Sequence, residues 1–134
     1  MDGDDISLPT RFEKQITFLN QNHHVKLCGT AFQFIGRDKI VKHPTNHEEI
    51  KVKLCFNTAF CHPSIMAWKE IFKLNLYEKN FEPAEDYDLW SRLVFQVNLA
   101  NLPEVLLRYR VHEKQLSNEK NAVKIFNSYL CLLK

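Results

Sequence analysis

Three clusters of charged residues in this 134-residue chain carry side chains that could bind a metal ion, activate a hydroxyl or hold a phosphate. The first is the run Asp2-Gly3-Asp4-Asp5. Crowded carboxylates repel one another unless a cation offsets their charge, and the glycine lets the backbone turn sharply. Mg²⁺ and Mn²⁺ prefer carboxylate oxygens and often share them with substrate phosphates. The run therefore indicates a divalent metal site, and a solvated acidic segment ahead of a helix is the alternative.

A second acidic cluster, Glu85-Asp86-Tyr87-Asp88, stands at the predicted start of a helix and beside aromatic side chains. A general base must lie within hydrogen-bond reach of the hydroxyl proton that it removes, with a pKa tuned by burial and neighbours. Carboxylates meet this need, so Glu85 and Asp86 are candidates for binding and activating a hydroxyl. The alternative is ordinary stabilisation of a helix N-terminus by acidic residues in its first turn.

The third cluster is the strand-like run Leu107-Arg108-Tyr109-Arg110-Val111-His112. Alternation along a strand places Arg108, Arg110 and His112 on one face. Two arginines can hold phosphate oxygens, and a neutral histidine can complete a metal site. The alternative is a solvent-facing strand edge whose basic residues discourage aggregation.

Composition narrows the class of protein. Hydrophobic residues make up 45% and charged residues 25% of the chain, as in an ordinary globular protein. The formal charge of +2, with its basic residues scattered, gives no support for binding nucleic acid. No stretch approaches the ~20 apolar residues that span a bilayer, and the acidic start does not resemble a signal peptide. We therefore expect one cytoplasmic α/β domain over residues 1–134, without a transmembrane segment.

Cysteine and histidine spacing gives no independent metal signal. The four cysteines show no CxxC spacing, and their mostly apolar neighbourhoods predict reduced, buried thiols; they are Cys28, Cys55, Cys61 and Cys131. The six histidines likewise lack metal-ligand spacing. His23 and His24 are predicted in a surface turn.

Helix and strand patterns alternate along the chain. A helix is predicted after Pro9, with Phe12, Ile16 and Leu19 on its apolar face. A second helix begins at an Asn46 cap. The remaining elements are strands at residues 25–29, 31–35, 39–42 and 105–111, a short strand before residue 68, and helices at 46–56, 69–74, 85–97 and 119–133.

Together these segments resemble the family 2 glycosyltransferases of the GT-A fold. Residues 1–15 are similar to the family's Asp-x-Asp stretch and the helix after it, and residues 84–93 to its Glu-Asp motif. Residues 61–66 resemble the segment before the acceptor region. Residues 107–112, with Gln115 and Ser117, resemble the motif that closes the catalytic domain. The match runs through nearly the whole chain in the family's order.

The resemblance implies a role for each cluster. Asp2, Asp4 and His112 would bind a divalent metal, Mn²⁺ or Mg²⁺, while Asp5 would be structural. Asp86 would be the general base for an acceptor hydroxyl and Glu85 would bind the acceptor. The implied reaction is inverting transfer of a sugar from a nucleotide-sugar donor to a saccharide or lipid-linked acceptor in surface polysaccharide or glycoconjugate synthesis, with the protein at the cytoplasmic face of a membrane.

The resemblance begins at the Asp-x-Asp motif, so the family's N-terminal nucleotide-binding βαβ region has no counterpart here. The expected fold is therefore a partial GT-A, Rossmann-like α/β fold, a mixed sheet flanked by helices. Such a chain would expose a sheet edge and apolar surface and could self-associate through them. We expect it to be inactive alone. Two alternatives stay open: a non-catalytic remnant or interaction domain that retains the motifs, and a metal-binding module unrelated to sugars.

Overall fold

The computed structural model describes residues 3–82 and 84–111 and has an α/β architecture with one mixed sheet. The strands are β1 (Ile6–Ser7), β2 (Val25–Phe34), β3 (Ile40–Val41), β4 (Met66–Ala67) and β5 (Asn98–Tyr109). The helices are α1 (Arg11–Gln21), α2 (His47–Leu54), α3 (Lys69–Leu74) and α4 (Glu85–Leu93). Single 3₁₀ turns lie at His62–Ser64 and Lys79–Phe81. The expected mixed sheet flanked by helices is confirmed. The expected helix at residues 119–133 lies outside the described residues.

The long strands β2 and β5 form the centre of the sheet as a parallel pair. Strand β1 runs antiparallel along β5, and β3 and β4 run antiparallel along two separate stretches of β2. A parallel pair needs a long crossover connection, which the chain supplies with α2, α3 and α4. These three helices lie between β2 and β5 along the chain, and they pack against the sheet that the two strands form.

Strand β2 is continuous where the sequence predicted two segments, and β5 begins at Asn98 where it predicted a start at residue 105. The pairing of β2 with β5 is irregular close to the predicted break. Thr30 pairs with Leu102 and Ala31 with Val105, so the intervening residues Pro103 and Glu104 have no partner in β2. Because proline has no N–H for a ladder hydrogen bond, it is accommodated in such a bulge.

Helices cover both faces of the sheet. Alternate residues of a strand point to opposite faces, and Leu27 and Cys28 accordingly belong to different apolar clusters. The Cys28 cluster packs under α1 through Phe18 and Leu19. The Leu27 cluster is larger and packs under α2, α3 and α4. Its fully buried members are Leu27, Ile50, Ala59, Ala84, Leu89, Trp90 and Leu93.

The buried face of α1 is not the one that hydrophobic spacing predicted. Phe12 is 57% exposed and Ile16 is 53% exposed, whereas Arg11 and Gln15 are buried with Leu19. Arg11 and Gln15 donate hydrogen bonds to the carbonyl oxygens of Pro63 and Ser64. These hydrogen bonds account for the inward position of Arg11 and Gln15, because a carbonyl oxygen that is buried without a partner is costly.

The other local predictions are mostly confirmed. Asn46 caps α2, since its Oδ1 accepts a hydrogen bond from the Glu49 backbone N–H at 3.0 Å, and α3 spans the predicted residues. The turn at His23 and His24 is also present and exposed. Helix α4 ends at Leu93, four residues earlier than predicted, because the chain turns there into β5.

The cysteine prediction is correct for two of the three described residues. Cys28 and Cys61 are buried free thiols, and Cys55 is an exposed free thiol. Cys55 directly follows the last residue of α2, at an exposed position. None of the helices in the described ranges is long and apolar enough to cross a membrane.

Candidate functional site

The start of α4 presents two carboxylates at the protein surface. Glu85 and Asp86 are the first two residues of the helix, and each is partly buried. No side chain caps this helix at Ala84, so its first N–H groups carry the positive end of the helix dipole. Asp86 Oδ1 accepts a hydrogen bond from the Tyr87 backbone N–H at 2.7 Å. This bond orients the carboxylate at the start of the helix, within reach of a group at the surface.

Asp86 faces a histidine that lies 24 residues earlier in the chain. His62 Nδ1 lies 3.9 Å from Asp86 Oδ2, and His62 Nε2 lies 3.0 Å from the Tyr77 hydroxyl oxygen. Burial, the charge of Asp86 and the charge of Glu85, in that order, raise the pKa of the Tyr77 phenol above its ordinary value. The structure therefore gathers Glu85, Asp86, His62 and Tyr77 into one polar cluster, which we call the α4 cluster.

The 3₁₀ turn that carries His62 is held firmly from behind. The Ser64 hydroxyl accepts from the Thr30 backbone N–H at 3.1 Å and donates to the Cys61 carbonyl at 2.8 Å. From α1, Gln15 donates to the Ser64 carbonyl at 2.9 Å and Arg11 to the Pro63 carbonyl at 3.2 Å. Because these contacts fix the backbone from β2 and α1, His62 projects from a rigid support.

Trp90 packs against the buried side of the α4 cluster. It is fully buried, and its ring lies edge-on to the His62 ring at 5.9 Å and tilted against Phe60 at 5.6 Å. Trp90 belongs to the apolar cluster that joins α4 to the sheet. Its indole N–H has no hydrogen-bond partner among the described residues, and neither has Glu85 Oε2, although both atoms are buried.

The acidic N-terminal run forms a second group of residues at the end of β5. Asp5 is buried, and its Oδ1 accepts a hydrogen bond from the Arg110 backbone N–H at 2.9 Å. The Arg110 side chain donates from Nε to the Asp4 carbonyl oxygen at 3.0 Å. Asp5 thus joins the start of β1 to the end of β5, in agreement with the structural role expected for it.

Asp5 of the acidic run acts electrostatically on residues at the turn formed by residues 61–64. The charge of Asp5 raises the pKa of the Cys61 thiol, second to the larger effect of burial, and the pKa reaches about 12. Desolvation lowers the pKa of Arg11, which the Asp5 charge partly offsets. Such coupling requires proximity, so Asp5 lies near Cys61 and Arg11, two residues at the turn that carries His62.

Only some of the residues that were expected to bind phosphate or a metal ion lie among the described residues. Arg108 and Arg110 are both exposed, with the half-buried Tyr109 between them against Phe32 and Phe34, as strand alternation predicts. Asp4 is partly buried. Asp2 and His112 lie outside the described residues. Within residues 3–82 and 84–111, no three His, Cys, Asp or Glu side chains gather as a metal site.

Sequence reasoning missed His62 and Tyr77 as site residues. Residues 61–66 resemble the segment before the acceptor region without pointing to His62 in particular, and no motif of the resemblance includes Tyr77. No spacing rule relates either residue to Asp86, because the three sit on a turn, a loop and a helix. The usable signal was their type alone, a histidine and a tyrosine near candidate carboxylates.

The fold and site define a mixed α/β domain with carboxylates at a surface helix start, which agrees with a partial Rossmann-like glycosyltransferase domain. Proteins similar to this chain are named glycosyltransferases, which supports a glycosyltransferase family for the chain. The chain is 39% identical to the O-antigen biosynthesis glycosyltransferase WbnJ of Escherichia coli, in an alignment covering 94% of this chain and 51% of that protein. It is 30% identical to the amylovoran biosynthesis glycosyltransferase AmsE of Erwinia amylovora, covering 90% of this chain and 47% of that protein.

The similarity covers only part of each related protein. The putative glycosyltransferase EpsE of Bacillus subtilis is 30% identical over 96% of this chain and 48% of its own length. The chain thus spans about half the length of the curated relatives that it matches. No protein-family model matches the chain.

Proposed function

We propose that this chain is the acceptor-side part of an inverting, nucleotide-sugar-dependent glycosyltransferase of family 2 and the GT-A fold, acting in surface polysaccharide synthesis. The observation that carries the proposal is the placement of Asp86 at the N-terminus of α4, partly exposed and facing His62. Relatives named for O-antigen and amylovoran biosynthesis support the polysaccharide role. We place the enzyme in the cytoplasm, at the membrane face where lipid-linked acceptors lie.

In the proposed reaction Asp86 removes the proton from the acceptor hydroxyl. The oxygen attacks the anomeric carbon of the donor sugar as the bond to the nucleoside diphosphate breaks, which inverts the configuration. A positioned general base of this kind contributes typically 10²–10⁴-fold to the rate. We assign Glu85, which precedes Asp86 at the start of α4 and is partly exposed, to a second hydroxyl of the acceptor.

We assign the donor diphosphate to the end of β5. Arg108 and Arg110 are exposed guanidinium groups close to the acidic run, and arginine binds phosphate oxygens with paired hydrogen bonds. Asp4, Asp2 and His112 supply the carboxylate and imidazole donors that suit Mn²⁺ or Mg²⁺. A bound divalent cation would stabilise the charge of the departing diphosphate.

A chimera tests this function, because the chain covers about half of each relative. This chain replaces the matching half of the E. coli O-antigen glycosyltransferase, and O-antigen is measured in cells that lack that enzyme. We expect the chimera to restore O-antigen and Asp86→Asn to lower transfer by about 10²–10⁴-fold. Glu48→Gln, an exposed position beside the first residues of β2 and β5, is the control and should leave transfer unchanged. Full transfer by the Asp86→Asn chimera would contradict the proposal.

A further inference from the structure

The α4 cluster contains two residues, His62 and Tyr77, that the general-base mechanism does not use. We propose that His62 is a positioning residue that presents its Nδ1–H to Asp86, and that Tyr77 fixes this tautomer by donating its hydroxyl proton to His62 Nε2. The inference rests on the proposed function, since Asp86 is the base whose orientation His62 would set.

The geometry singles out one tautomer. The His62 ring directs Nε2 toward the Tyr77 oxygen, which lies at hydrogen-bond distance of 3.0 Å, and Nδ1 toward Asp86 Oδ2 at 3.9 Å. A neutral imidazole has one N–H and one acceptor nitrogen. An ionised carboxylate can only accept, so the N–H belongs on Nδ1, and Nε2 must then accept from Tyr77. The raised pKa of Tyr77 agrees, because it keeps the phenol proton available for donation.

The distance of 3.9 Å between Nδ1 and Oδ2 is longer than a hydrogen bond. Catalytic hydrogen bonds are often long without substrate and shorten in the substrate complex. The backbone of His62 is held by the hydrogen bonds of its turn to β2 and α1, and its ring lies against Trp90. Asp86 Oδ1 accepts from the Tyr87 N–H, so an N–H of His62 at Oδ2 would fix the second oxygen and hold the carboxylate in one rotamer.

Tyr77 is held in place from the other side. Arg92 of α4 donates a hydrogen bond to the carbonyl of Leu76, the residue before Tyr77, at 2.8 Å. The same guanidinium binds Asp88 Oδ2 at 2.9 and 3.0 Å. One arginine thus ties the Tyr77 segment to the helix that carries Asp86. The three side chains in the proposed order, Tyr77 to His62 to Asp86, therefore each stand on an anchored element.

The tautomer can be measured on the 134-residue chain without any donor or acceptor. Nitrogen-15 NMR of the imidazole at about pH 8, where an imidazole is neutral, distinguishes Nδ1–H from Nε2–H. We expect His62 to be the Nδ1–H form and Tyr77→Phe to shift the population toward Nε2–H. A dominant Nε2–H form in the unsubstituted chain, or no change with Tyr77→Phe, would overturn the inference.

Two amide substitutions test the role in transfer, in the chimera described above. An asparagine amide can place an N–H near the position of Nδ1, whereas a glutamine amide reaches the position of Nε2. We expect His62→Gln and His62→Ala to lower kcat on the order of 10²-fold with donor KM unchanged, because a base misplaced by 1 Å can lose that much. His62→Asn should retain at least about tenfold more activity than His62→Gln. Equal losses in the two amide variants would refute the positioning role.

The two proposals can fail separately. If Asp86→Asn transfers sugar at the full rate, the proposed function fails whatever tautomer His62 adopts. If Asp86→Asn is inactive while His62→Gln remains fully active, the function stands and the positioning role falls. Thermal unfolding of each variant shows that it is folded, and the NMR result on the unsubstituted chain depends on no variant.

Discussion

Gly29 of β2 lies where a side chain would collide with a buried amide. A Cβ there would lie 2.3 Å from Asn101 Oδ1 and 3.1 Å from Phe60 Cδ1. Asn101 cannot turn aside cheaply, because its Nδ2 donates to the carbonyls of Pro44 at 2.8 Å and Ala59 at 3.0 Å. Glycine is required here for close approach, and the backbone angles at this position are ordinary.

We therefore predict that Gly29→Ala lowers the free energy of unfolding by about 1–3 kcal/mol, the usual cost of overfilling a packed site. Urea unfolding followed by circular dichroism measures it. Gly3→Ala is the matched control, since a Cβ at Gly3 meets nothing within 4 Å, and its effect should stay within about 0.5 kcal/mol. Equal midpoints for the two variants would contradict the argument.

The cysteines differ in reactivity for reasons that lie in their surroundings. Burial raises the pKa of Cys28 and of Cys61 to about 12, while Cys55 is exposed. Because the thiolate is the reactive form, a pKa near 12 leaves roughly 10⁻⁴ of a thiol ionised at pH 8. These two thiols are thus protected both by their ionisation and by the surrounding core.

In a Cys131→Ser background we predict one thiol that reacts rapidly with a disulfide reagent at pH 8 and two that react at least ~10³-fold more slowly. Adding Cys55→Ser should remove the rapid phase, and denaturant should release the slow thiols. The raised pKa values also predict that stability is fully present below about pH 9 and falls as pH rises toward 12. Two rapid thiols in the folded protein would contradict this account.

At the scale of elements, one ion pair holds α4 to the loop before it. Asp88 is fully buried in α4, and Arg92, one turn later, binds its Oδ2 through two nitrogens and also binds the Leu76 carbonyl. Removing Arg92 takes two charge-assisted hydrogen bonds from a carboxylate that is fully buried, which costs more than losing an ion pair at the surface.

We predict that Arg92→Ala lowers the free energy of unfolding by about 3 kcal/mol. The control is Lys14→Ala, which breaks the pair with Glu104, where both side chains are at least 40% exposed; exposed pairs contribute at most ~1 kcal/mol. Chemical denaturation measures both. If the two variants unfold at the same denaturant concentration, Asp88 is not a buried charge that depends on Arg92.

The elements also show what the sequence could and could not predict. Local signals succeeded, such as the Asn46 cap and α3, because their contacts lie within a few residues. Hydrophobic spacing failed on α1, where Arg11 and Gln15 bind a turn about fifty residues away. The two acidic clusters were found from residue type, but the approach of His62 to Asp86 depends on how a turn, a loop and a helix pack. Such tertiary contacts leave no periodic pattern in one chain.

At the scale of the whole molecule, apolar surface remains uncovered beside the acidic run. Ile6 of β1 is 45% exposed, and Phe12 and Ile16 on α1 are more than half exposed. Strand β1 is the outermost strand on its side of the described sheet. These features are typical of a surface that another segment or chain covers, so self-association through this edge stays a prediction, as does burial against the rest of a longer protein.

The composition of the sheet predicts that this chain alone binds nucleotides weakly. Rossmann-like folds bind nucleotides in the crevice at the carboxyl ends of several parallel strands. The described part of this chain has one parallel pair, β2 with β5, and its other strand pairs are antiparallel. We predict that the isolated chain binds UDP or GDP with Mn²⁺ at least ~100-fold more weakly than the chimera, by calorimetry, and releases no nucleotide from UDP- or GDP-sugars. Donor turnover by the isolated chain would contradict this, because one parallel pair with the clusters at residues 4–5, 85–86 and 108–110 would then suffice for transfer.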